Sequence, residues 1–180
     1  SQFMEWMRLQ VRVAANPLSS IGKVETRGRE GFERRAFNDD EVAKLLAVAT
    51  PMRRVVYLFA LLTGLRRGEL ASLRWDDVKL DAVPPHVRVR ASCTKNHREA
   101  VIRLREDLVA ALLAIRPAAW RPEDRAPNVR YMRDVKTDFK RAGIARVDAF
   151  GRHADFHALR HTFGTNLGRA GVAPRVAMEL

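Results

Sequence analysis

Three side chains that handle protons or anions fall on one short stretch, DFHALRHTFGTNL, residues 155 to 167. If the stretch is helical, His157 and Arg160 lie three apart and His161 four from His157, so all three lean to one side. The arginine would present paired N–H donors to a phosphate, and a histidine beside it would donate a hydrogen bond or accept a proton. A chelating reading also arises, because His153, His157 and His161 are spaced by four. Asp155 as the helix cap would put His153 outside the helix, and no thiol or carboxylate obviously completes a ligand set. A helix that merely pairs with neighbouring carboxylates fits the same residues equally well.

A second candidate is TGLRRGEL, where a turn at Gly64 delivers Arg66 and Arg67 to the start of a helix, a place that welcomes phosphate. Composition does not choose between the two arginines. Acidic pairs, Asp76 with Asp77 or Asp134 with Asp138, raise a magnesium nuclease. Adjacent carboxylates in a turn diverge, however, and an i, i+4 pair is ordinary on a basic helix.

The whole chain points to a polyanion. Its 180 residues carry 33 Lys and Arg against 21 Asp and Glu, a net charge of +12 with a pI near 11.0, which favours phosphate neutralisation and counterion release. Cys93 is the single cysteine, so no internal disulfide and no thiolate-based zinc site can form, and a reducing cytoplasm fits. No apolar run approaches the roughly 20 residues that span a bilayer.

The elements that must position these groups follow from periodicity and caps. Residues 3 to 15 read as the end of a helix, followed by a polar, Gly-containing linker. Asn38 with Glu41 forms a capping box ahead of Val42, Leu45 and Leu46. Thr50 and Pro51 start a helix, MRRVVYLFALLT, that is apolar nearly all round and ends at Gly64, and so belongs at the centre of the core. LRRGELASLRW restarts a helix, and DDVKLD reads as a turn. A β-hairpin over about 86–104 has Lys95 at or near its turn. Helices REDLVAALLAIRP and VRYMRDVKTDFKRAG stop at Pro117 and Gly143, with a loop between them. Asp155 caps the helix of the opening stretch, which ends near Gly171, and Pro174 would start another.

Taken together, ALLTGLRRGELASLRW, SCTKNHREAVIRL and FHALRHTFGTNLGRAGV resemble the tyrosine recombinase family of phage-type integrases. The resemblance implies an α+β catalytic domain, predominantly helical with a small antiparallel sheet, over residues 35–180. Residues 1–17 would be the end of an amino-terminal core-binding domain and 18–34 the linker. It assigns scissile-phosphate binding to Arg66, protonation of the leaving 5′ oxygen to Lys95, and proton transfer and phosphate contact to His157 and Arg160. His161 and Glu69 would support them. No metal or cofactor is implied. The partner would be double-stranded DNA, bound by a homo-oligomer of the full-length protein, with no membrane.

The family's nucleophile is a tyrosine that follows a Gly-His motif beyond the His-x-x-Arg helix. Neither follows Arg160 here, and Tyr57 and Tyr131 both precede it. The expectation is a catalytic domain that stops short of its nucleophile and binds DNA without cutting it. The alternative is a non-catalytic DNA-binding or regulatory remnant of an integrase.

Overall fold

The computed structural model describes residues 2–17, 32–94, 97–127 and 135–173. The chain divides into two units, Ser1–Gly31 and Phe32–Leu180. In the first, helix α1 (Gln2–Leu9) carries a Glu5–Arg8 ion pair at 2.6 Å and stacked Phe3 and Trp6 rings. The expected helix end at residues 3 to 15 is therefore helical only as far as Leu9. Most of the linker, residues 18–31, lies outside the described residues.

In the second unit, helix α2 (Asp39–Val48) begins with the anticipated capping box. The Asn38 side chain accepts from Glu41 N at 2.8 Å, and Asn38 N donates to Glu41 at 3.1 Å. Two orphan donors of the first turn are thereby satisfied. Helix α3 (Pro51–Thr63) follows, with Pro at its first position and a left-handed Gly64 at its end. Val55, Val56, Tyr57, Phe59 and Ala60 are buried around most of its circumference, which makes α3 the axis of the core. Full burial of a side chain such as Phe59 contributes roughly 1.5–3 kcal/mol.

Helix α4 (Arg67–Ser72) is shorter than LRRGELASLRW predicts. At Leu73 the backbone becomes extended, and a 3-10 turn at Trp75–Asp77 follows. Arg74 N donates to Asp77 Oδ2 at 3.0 Å, and Leu73 and Trp75 are buried. The carboxylate thus competes with helix continuation, and two large apolar groups gain cover.

DDVKLD is not only a turn. It contains strand β1 (Val78–Lys79), which pairs antiparallel with β2 (His86–Val89) in the register Val78 to Val87. Strand β3 (Ala100–Arg103) pairs antiparallel with β2, Val87 opposite Ile102, so the expected hairpin becomes a three-stranded sheet in the order β1-β2-β3. A two-residue strand has too few positions to show alternation, and only its partner strand defines it.

Helices α5 (Glu106–Ile115), α6 (Val135–Arg141) and α7 (Phe156–Arg169) complete the layer around α3, with α5 and α7 both packed against it. The start of the segment expected to form α6, residues 129–134, and the helix expected after Pro174 lie outside the described residues. Arg53 Nε and Nη2 on α3 donate to Asp138 on α6 at 2.5 and 2.9 Å, and Tyr57 Oη donates to the same carboxylate at 2.8 Å. Asp138 is fully buried. This shared carboxylate locks α6 to α3.

Candidate functional site

α7 is placed by contacts at both ends of its first turns. Asp155 caps it, accepting from Ala158 N at 2.9 Å, and also accepts from Arg34 Nε at 2.8 Å. Arg35 N donates to His153 O at 3.1 Å, and His153 N donates to Glu33 O at 2.7 Å, so an extended segment fixes the approach to the helix. Thr162 Oγ1 accepts from the buried Phe37 N at 2.8 Å and donates to Ala158 O at 3.0 Å. Leu159 is fully buried. The opposite side of α7 is left with His157, Arg160 and His161.

The decisive junction lies between α7 and the end of α3. Gly64 adopts φ +64°, a left-handed conformation that a side chain disfavours. A Cβ there would lie 2.4 Å from Phe163 Cδ1, so the turn is seated directly against the α7 ring. The carbonyl of this turn accepts from Arg160 Nη1. Two segments 96 residues apart are thereby joined through a glycine that only backbone and ring can fill.

Arg66 stands two residues on, as the N-cap of α4. Its backbone N donates to Glu69 Oε2 at 2.8 Å and its Nη1 to Glu69 Oε1 at 2.9 Å. Glu69 is buried, whereas the Arg66 side chain is 44% exposed, a guanidinium aimed outward from a fixed base. Arg66 lies close enough to Arg160 for its charge to lower the Arg160 pKa, after burial, with Glu69 opposing both. Like charges crowd here around one carboxylate, the condition under which an added anion is favourable.

His157 is exposed on the first turn of α7, its ring edge-to-face with His161 at 5.7 Å between centroids. Burial, then the charges of Arg34 and His161, hold its pKa below the ordinary 6.5. A neutral imidazole can accept a proton or share one with an oxygen. His161 is exposed and lines the same shallow groove along α7 as His157, Arg160, Gly164 and Thr165. Lys95 lies outside the described residues.

The fold therefore brings Arg66, Glu69, Arg160 and, on the same helix as Arg160, His157 and His161 to one region. Of the acidic alternatives, Asp134 lies outside the described residues and the other three are occupied. Asp77 is buried and accepts from Arg74 N, Asp76 pairs with Lys79 at 3.0 Å, and Asp138 serves Arg53 and Tyr57. No group of three potential metal ligands occurs among the described residues. Sequence reasoning did not find Arg34, whose contact with Asp155 crosses 121 positions and has no local signature.

A family model described as the phage integrase family matches residues 35–180. Among solved structures, the integrase from mycobacterium phage Brujita is 26% identical, with a TM-score of 0.62, over 99% of this chain and 58% of that one. XerA recombinase is 23% identical, with a TM-score of 0.60, over 81% of this chain and 55% of that one. A lambda integrase dimer bound to a COC′ core site is 16% identical, with a TM-score of 0.65, over 99% of this chain and 52% of that one. At these last two identities the likeness is one of fold. The chain spans a little over half the length of each of the three. No curated protein matches the sequence.

Proposed function

The chain belongs to the phage integrase family, with the mostly helical fold and small antiparallel sheet of its catalytic domain, and from that premise we propose that Arg66, His157 and Arg160 receive one phosphodiester of double-stranded DNA. The reaction they serve in the full-length protein is site-specific DNA cleavage and rejoining. A tyrosine oxygen attacks phosphorus, the bond to the 5′ oxygen breaks, and the 3′ phosphate becomes joined to the tyrosine. A free 5′ hydroxyl reverses the step on another strand.

Phosphoryl transfer without a metal needs fixed cations around oxygens that gain charge in the transition state. Arg66 and Arg160 take that part, and removal of either costs on the order of 100- to 1,000-fold in rate, by analogy with oxyanion-hole deletions. Lys95 protonates the departing 5′ oxygen, the role that family resemblance gives the hairpin lysine, and His157 assists proton movement. Glu69 and His161 support the cluster. Tyr57 is not the nucleophile, because its hydroxyl is buried and donates to Asp138.

The observation that carries this reading is the bond from Arg160 Nη1 to Gly64 O, which stations one arginine beside the turn that presents the other. A lambda integrase is described as a dimer on a core site and another as a tetramer on a Holliday junction, and a homo-oligomeric DNA complex of the full-length protein extends the proposal. No helix among the described residues is long and apolar enough to cross a membrane, and a cytoplasmic location completes it.

The test is fluorescence anisotropy with a labelled duplex, alongside a nicked duplex resolved in denaturing detergent. The 180-residue chain binds the duplex and forms no covalent adduct. Arg66→Gln and Arg160→Gln each weaken binding about 10-fold or more, the scale of a lost charge-assisted hydrogen bond. Undiminished affinity in both variants refutes the phosphodiester site, and a detergent-stable adduct refutes the expectation that this chain carries no nucleophile.

A further inference from the structure

His157 borders two concave surfaces. One is the α7 groove shared with Arg160. The other is a cavity of about 530 Å³ whose lining includes Arg34, Arg67, Lys136 and Arg146, with Phe139 and Phe156 as apolar wall. Among the described residues the one carboxylate lining it, Asp155, is already engaged by Arg34 and by the first turn of α7. Arg67, Lys136 and Arg146 are exposed and have no carboxylate at ion-pairing distance among the described residues.

Three such cations around one concavity repel one another, and a bound anion relieves the repulsion. They come from α4, α6 and the loop ahead of α7, so the fold alone unites them. The cavity lies across His157 from the groove that holds Arg160. Along a duplex strand the phosphates recur about every 3.4 Å of helix axis. A strand with one phosphate between Arg66 and Arg160 that runs on past His157 would carry further phosphates toward these three side chains.

We propose that Arg67, Lys136 and Arg146 form a second phosphate subsite that holds the DNA backbone beside the scissile phosphodiester, with a deoxyribose against Phe156. This rests on the DNA-binding reading above. It also gives the arginine doublet two duties: Arg66 serves the reacting phosphate, and Arg67 serves its neighbour. The three are positioning residues and touch no reacting atom.

The experiment is duplex binding by anisotropy from 0.05 to 0.3 M KCl, values set by the range in which counterion release is read, on the order of 0.1 M. It compares the unchanged chain with R67Q/K136Q/R146Q and with the charge-matched R105Q/R116Q/R121Q, at the two caps of α5 and in the loop after it. Circular dichroism checks that each is folded. The cavity variant should show a slope of log K against log salt shallower by about 1, the worth of one phosphate contact, and the control should keep the original slope. An unchanged slope in the cavity variant, or an equal change in the control, overturns the subsite and leaves the DNA reading intact. Absence of any duplex binding by the unchanged chain overturns both. A rise in thermal midpoint with inorganic phosphate, lost in the cavity variant but without a slope change on DNA, assigns the cavity to a small anion and also overturns the inference.

Discussion

Replacing Gly64 by alanine puts one methyl group at the joint between α3 and α7. Two costs follow. The φ of +64° is a conformation that a non-glycine residue adopts at about 1–2 kcal/mol. The new Cβ would also stand 2.4 Å from Phe163 Cδ1 and 2.8 Å from Cε1, so the ring or the helix must retreat. Overpacking of this kind costs about 1–3 kcal/mol. The sum, about 2–5 kcal/mol, lowers the thermal midpoint on the order of 5 to 20 °C for a domain of this size. The two parts are separable with Phe163→Leu, which vacates the ring position. The pair should be non-additive by about 1 kcal/mol or more, since leucine relieves the steric cost and not the backbone cost. DNA affinity at 20 °C, a temperature chosen to lie roughly at maximal stability, should also fall, because a retreat of α7 withdraws Arg160 from the Gly64 carbonyl and from Arg66. Thermal unfolding and duplex anisotropy on the four proteins make the measurement. A midpoint lowered by less than about 2 °C, or strict additivity with Phe163→Leu, refutes the seating of this turn against α7.

Two further outcomes follow from groups around the site. Asp138→Ala removes the carboxylate that Arg53 and Tyr57 share, and breaking a buried pair costs about 3–5 kcal/mol; urea unfolding should report it, and a loss below about 1 kcal/mol would contradict the lock between α6 and α3. His157, with its pKa held down by burial and then by Arg34 and His161, takes up its proton in the unfolded chain before the folded one as pH falls. Its stabilisation is therefore present above the unfolded value near 6.5 and is lost as pH drops below it toward the folded value. An NMR titration should find the His157 midpoint below 6.5, and Arg34→Gln should raise it. A midpoint that does not move with Arg34 would remove that charge from the explanation.

The parts legible in the sequence are those whose causes are local. Asn38 with Glu41, Pro51 at a helix start, Gly64 at a helix end and Asp155 at the next start each act within four residues, and the observed helices begin and end at them. The apolar circumference of α3 likewise announces its central place. What escaped is defined by partners far along the chain. β1 exists because Val78 meets Val87, and α4 stops early because Leu73 and Trp75 find cover. The buried carboxylate of Asp138 looks in sequence like half of an ordinary acidic pair. Only the approach of α3 turns it into the acceptor of Arg53 and Tyr57. Nothing near Arg34 or Arg146 marks either for a common cavity with His157.

The arginine doublet shows the same limit at the site itself and what the backbone adds to it. Arg66 and Arg67 are identical in type and adjacent, so composition treats them alike. Arg66 has the extended conformation of an N-cap, φ −70° and ψ 153°, while Arg67 begins the helix, and the two side chains leave in different directions. One is tied to Glu69 and felt by Arg160; the other lines the cavity with His157. Glu69 then sets the charge balance. Two guanidinium groups and one carboxylate leave a single positive charge, which one phosphodiester neutralises. The transition state of phosphoryl transfer concentrates more negative charge on the same oxygens and on the leaving 5′ oxygen. On the proposed reading the two arginines meet the part on the phosphate oxygens, and the part on the leaving 5′ oxygen falls to the proton of Lys95 with His157 assisting, so that binding energy is spent where the barrier is highest and not on the resting DNA.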